Sequence, residues 1–102
     1  MAQAESFASP AARTAKLHAA AAAGRLAEVS ALLAQGTPVD APDSDGETAL
    51  MKAIQAHNSA AAALLRRHGA SLDRTNRAGV SARDMAASID DPEVNRALGL
   101  EP

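Results

Sequence analysis

The chain has 102 residues and a formal net charge of −2, from 10 basic and 12 acidic residues. With no Cys, Trp or Tyr and one Phe, it has no disulfide, Cys-ligated zinc or thiol chemistry, and no aromatic platform for stacking bases. The hydrophobic fraction is 47%, but 28 of those residues are Ala, so the core must come from helices packed near the short end of the usual ~8–10 Å axis separation.

In chain order, residues 1–12 read as a leader. It carries neither a basic segment nor an apolar signal core, and Phe7 within it has two readings, a frayed end or a fold-back over the adjoining apolar face. Thr14 is expected to cap a helix that runs to about Ala23 and ends at Gly24. A second helix starts near Arg25, with Leu26, Val29, Leu32 and Leu33 at helical spacing on one face. Gly36 closes it, and Pro38 and Pro42 bar its continuation. After the polar loop Asp40–Glu47, Thr48 opens a third helix, Asn58 or Ser59 opens its partner, and Gly69 stops that partner. A second polar loop, Asp73–Val80, leads to a shortened last unit. There Asp91-Pro92-Glu93 supplies a capping side chain, a first-turn Pro and an acid at the positive end of the helix dipole.

Sliding the chain by 33 residues lays it on itself. Gly36 meets Gly69 and Gly46 meets Gly79; Leu32, Leu65 and Leu98 align, as do Leu17 and Leu50, Asp40 and Asp73, and Val39 and Leu72. Ala20, Ala53 and Ala86 also coincide, but Ala is too common here for that to weigh much. With only six Gly in the chain, the paired glycines carry the period. The predicted architecture is all-α: a single domain over 13–102 with repeats at about 13–45, 46–78 and 79–102. Each repeat is helix, tight turn, helix, then a projecting loop.

These residues resemble the ankyrin repeat. Leu17-His18, Ala20-Ala21 and Gly24 look like its first-helix segment. Leu32-Leu33, Gly36 and Asp40 continue it, and Asp43, Gly46 and Thr48-Ala49-Leu50 match the next start. The resemblance spans roughly residues 13 to 98, as about two and a half to three repeats. It implies an ankyrin-like solenoid that binds proteins, with His18 holding a hairpin to the helices. Only the first repeat keeps that His; Met51 and Asp84 replace it later, so no ladder of His hydrogen bonds between repeats is expected. Arg83 stands where the other repeats have Leu17 and Leu50, which requires a solvent-facing end. His57 and Asp90 stand where the first repeat has Gly24, and both residue types tolerate positive φ.

No cofactor, metal or catalytic group is expected. The three His, His18, His57 and His68, share no i,i+4 spacing, and no phosphate-binding Gly-rich loop is present. Arg66-Arg67-His68 with Arg74 and Arg77 is the densest basic stretch, read as a solvated helix end and loop. Nucleic acid is not an expected partner, and no apolar run reaches the ~18–20 residues of a membrane span. Arg outnumbers Lys eight to two, which with the Ala excess points to a GC-rich bacterial genome; the location expected is cytoplasmic.

The resemblance places partner contacts on the hairpin tips and the inner-helix groove. Carried over by position, these are Ser44, Asp45 and Glu47 on the first finger and Thr75, Arg77 and Val80 on the second, with Lys52, Gln55 and Ala56 on the middle repeat's first helix. Asp43, Asp45 and Glu47 make the first tip acidic, while Arg74 and Arg77 make the second basic, a pairing suited to a partner of mixed charge. The function expected is non-catalytic protein binding by a monomer, with regulation or inhibition as one concrete version. The alternative is a structural unit that self-associates as a homo-oligomer or belongs to a longer array.

Overall fold

The computed structural model describes residues 9–100; Phe7 and its two readings lie outside the described residues. Among the described residues six helices follow one another: α1 Pro10–Ala23, α2 Leu26–Ala34, α3 Ala49–Gln55, α4 Ser59–Arg67, α5 Ala82–Ile89 and α6 Pro92–Leu98. Inner helices α1, α3 and α5 pack in sequence, outer helices α2, α4 and α6 form a second row, and each outer helix in the first two repeats rests on its inner partner.

The first helix begins a turn earlier than Thr14. The Ser9 hydroxyl accepts from the Ala12 amide at 3.1 Å, and Pro10 occupies the first turn. Pro needs no hydrogen-bond partner there and has its φ already set, and Ala11-Ala12 propagate the helix well. Thr14 is therefore inside α1. The other starts follow the sequence: Thr48 caps α3, Ser81 and Asp84 cap α5 reciprocally, and the Asp91 carboxylate accepts from the Glu93 amide at 3.0 Å to open α6. The turns between inner and outer helices are left-handed at Gly24 (φ +74°), His57 (φ +59°) and Asp90 (φ +52°), as the residue types required.

The period of 33 residues appears as layers of equivalent buried side chains. Leu32, Leu65 and Leu98 are all buried, and so are Ala20, Ala53 and Ala86. The alanine matches that composition discounted are thus true core equivalents. Leu17, Leu50, Met51, Ile54, Val29 and Val94 complete the core. Leu26 departs from the face expected for α2. It is 39% exposed, while Val29 and Leu32 on the same helix are buried.

At the position of Leu17 and Leu50, Arg83 turns outward. Its Nε donates to Asp73 Oδ1 at 2.9 Å and its Nη2 to Asp73 Oδ2 at 3.3 Å. The last repeat thus presents a charged pair where the first two repeats bury Leu.

Candidate functional site

Both loops fold into fingers by the same local chemistry. Asp43 Oδ1 accepts from the amides of Asp45 (2.8 Å) and Glu47 (2.9 Å). One repeat later, Asn76 Oδ1 accepts from Ala78 (2.9 Å) and Val80 (3.0 Å). Such side-chain turns compete well with extended backbone and fix a tight reversal. Main-chain bonds close each finger, Asp43 N to Glu47 O and Asn76 N to Val80 O, both at 2.9 Å. At the base of the second finger, Thr75 and Ser81 form an isolated antiparallel bridge. His18 Nε2 lies 2.9 Å from the Ala41 carbonyl, so His18 holds the segment entering the first finger, as the resemblance implied.

The two fingers are stitched together. The Arg77 amide donates to Asp45 O at 2.9 Å, and Arg77 Nη1 donates to Ser44 O at 3.0 Å. A Cβ on Gly46 would stand 3.0 Å from the Arg77 amide nitrogen, so this contact needs glycine for space as well as for its φ of +77°.

Glu47 is the hub beneath them. Its carboxylate accepts from Lys52 Nζ (3.0 Å), Gln55 Nε2 (3.1 Å) and Asn76 Nδ2 (3.3 Å), and Lys52 Nζ also lies 3.2 Å from Asp43 Oδ2. Partial burial pushes the Glu47 carboxyl up, but the bonds from Lys52 and Gln55, the Lys52 charge and the Asn76 bond outweigh it and hold it below the usual carboxylate range. The same balance holds Asp43 low: burial opposes, and the Glu47 amide, Lys52 and the Asp45 amide prevail. The hydrogen bond to Glu47 raises Lys52 above its ordinary value, against a smaller opposing effect of burial.

The expected site residues therefore divide. Glu47, Lys52 and Gln55 are engaged in bracing the fingers. Asp45, Ala56, Thr75 and Arg77 are exposed, as is Ser44, whose carbonyl is taken by Arg77, and Val80 is half-buried. Because Lys52 sits between Asp43 and Glu47, Asp45 is the first finger's exposed acid. Asn76 was not singled out for binding, although its place 33 residues after Asp43 signals the shared turn. An open groove of about 260 Å³ lies between α1 and the first finger, lined by Ala11, Thr14, Ala15, Pro42, Asp43 and Ser44; the resemblance implies such an inner-helix groove but does not single out its α1 residues.

On the opposite edge, each turn reaches back to the preceding repeat. Asn58 Nδ2 donates to the Ala21 and Ala22 carbonyls at the end of α1. At the next junction His57 Nδ1 lies 2.8 Å from Asp91 Oδ2, and this bond from His57 is the main reason the Asp91 carboxyl lies below its ordinary value. Among the described residues no three of His, Asp and Glu converge as metal ligands, and no helix is long and apolar enough to cross a membrane.

A family model described as ankyrin repeats (3 copies) matches residues 8–94. No curated protein sequence matches the chain. Among solved structures, the human ASB11 ankyrin repeat domain superposes with a TM-score of 0.69 at 29% identity, over 82% of this chain and 38% of that one. The chain thus spans well under half the length of that structure. With this match across most of its length and the layered repeats that accompany it, the chain belongs to the ankyrin repeat family.

Proposed function

We propose that this chain is a non-catalytic, cytoplasmic protein-binding module that meets its partner through the finger tips and the inner-helix groove. Ankyrin repeats are in general protein–protein interaction modules. The observation that carries the reading is the brace centred on Glu47: it fixes both fingers before any partner arrives and leaves Asp45, Thr75 and Arg77 outward. Pre-ordered loops lose less entropy on binding, so a small contact suffices. The apolar groove beside Ser44 would take one partner side chain, and the exposed charges would set its register. Regulation or inhibition of the bound protein is the concrete form proposed.

The test is affinity capture from native lysate with wild type and an Asp45→Arg/Thr75→Arg variant, both checked by circular dichroism. Neither side chain belongs to the brace. A protein held by wild type and lost by the equally folded variant supports the reading, and equal capture by both overturns it. Leu26, a large apolar side chain left exposed, favours self-association as a second reading. A monodisperse monomer in sedimentation at high concentration would remove it.

A further inference from the structure

The basic stretch Arg66-Arg67, which the fingers do not use, turns to the outer row and meets Arg96 of the last repeat. Two open lobes of about 370 and 430 Å³ lie between α4 and α6 and share Ala63, Arg96 and Ala97. Together they form a trough floored by small side chains. Arg66 and Arg67 stand with Arg96 at its C-terminal end, and Glu93 lines the other lobe. Arg66 Nη1 is anchored on the Ala70 carbonyl at 2.6 Å, while Arg67 and Arg96 are exposed. Among the described residues, none of the three guanidinium groups pairs with a carboxylate. Three of the chain's eight Arg thus converge on one groove in a protein of net charge −2.

We propose that this trough, on the face opposite the finger groove, is a second docking surface, for an acidic peptide segment of a partner protein. Charge complementarity selects the acid: two or three carboxylates meet Arg66, Arg67 and Arg96, and guanidinium forks suit carboxylates. The alanine floor selects small or apolar residues behind them. At 1.5 Å per residue α4 is ~14 Å long, enough for a few turns of helix or a short extended strand. Glu93 disfavours a uniform polyanion lying along the whole trough, and the chain lacks Trp and Tyr for base stacking. A segment acidic at one end and neutral at the other meets neither obstacle.

The probe is a fluorescein-labelled Glu-Glu-Glu-Ala-Ala-Leu-Ala-Ala peptide, followed by anisotropy, with its Lys-for-Glu counterpart as control. Wild type should bind the acidic peptide and not the basic one, more weakly as salt rises. Arg67→Glu/Arg96→Glu should weaken binding by about tenfold or more. Lys16→Glu/Arg25→Glu, which changes net charge equally on exposed residues elsewhere, should leave it within about twofold. All four positions are exposed, and circular dichroism checks that each variant folds. No peptide binding, or equal loss in both double variants, would overturn the proposal. Tighter binding to phosphatidylserine vesicles or oligouridine than to the peptide, lost in Arg67→Glu/Arg96→Glu, would overturn it in favour of a general polyanion site.

Discussion

The finger side and the α4–α6 side both carry clustered charge, but they use it differently. Beneath the fingers Asp43, Glu47, Lys52, Gln55 and Asn76 satisfy one another within a few ångströms. On the outer row Arg66, Arg67 and Arg96 face a groove with no carboxylate partner among the described residues. Charge density along the chain therefore does not locate a charged surface. The acidic tip foreseen for the first finger is largely matched by Lys52, while the basic stretch divides, Arg74 and Arg77 going to the second finger and Arg66 and Arg67 to the back.

The contrast can be broken from its foundation outward. Leu65 is fully buried on α4. Leu65→Ala should destabilise by roughly 2–5 kcal/mol in urea titration, and a loss within about 0.5 kcal/mol would place it outside the core.

Gly46 and Gly79 hold equivalent places in the two fingers and separate conformation from contact. Both have positive φ, but a Cβ on Gly46 would press on the Arg77 amide whereas one on Gly79 would meet nothing within 4 Å. Gly79→Ala should cost about 1–2 kcal/mol from backbone conformation alone. Gly46→Ala should cost more, up to about 3 kcal/mol. Equal costs would mean that the stitched fingers part freely.

A smaller effect compares the charges directly. Glu47→Gln should destabilise by about 1 kcal/mol, since its pairs are only partly screened by solvent. Arg67→Ala should stay within about 0.5 kcal/mol. The brace also predicts a pH dependence. Native Asp43 and Glu47 titrate below their ordinary values, so their contribution is fully present above the unfolded carboxylate values near ~4 and is lost as pH falls through the native ones. Lys52 titrates above its ordinary value, so its contribution is present below ~10.4 and is lost as pH rises through the native one. In urea titrations across pH, Glu47→Gln should flatten both limbs, and an unchanged profile would detach the brace from stability.

Much of the fold was legible because a repeat writes each structural requirement more than once. Paired glycines marked the turns, aligned Leu marked the outer row, and His57 and Asp90 revealed left-handed turns through their equivalence with Gly24. The first helix start was harder to see, because Thr14 and Ser9 are both competent caps and Pro10 decides between them. Leu26 looked like core because periodicity reports a helix face without reporting what lies opposite. Of the candidate site, the two loops were readable from the period and their turn formers, while the contact positions on them rest on the family resemblance. The pairing of Lys52 with Glu47 and the meeting of Arg67 with Arg96 depend on how helices sit side by side, and neither has a local signature.

Hydrogen–deuterium exchange on the chain with and without its captured partner tests finger recognition most directly. Binding through the fingers predicts slowed exchange at the amides of residues 43–47 and 74–80, with Asp45→Arg/Thr75→Arg abolishing it. Protection confined to other segments, with the fingers exchanging as in the free protein, would contradict it.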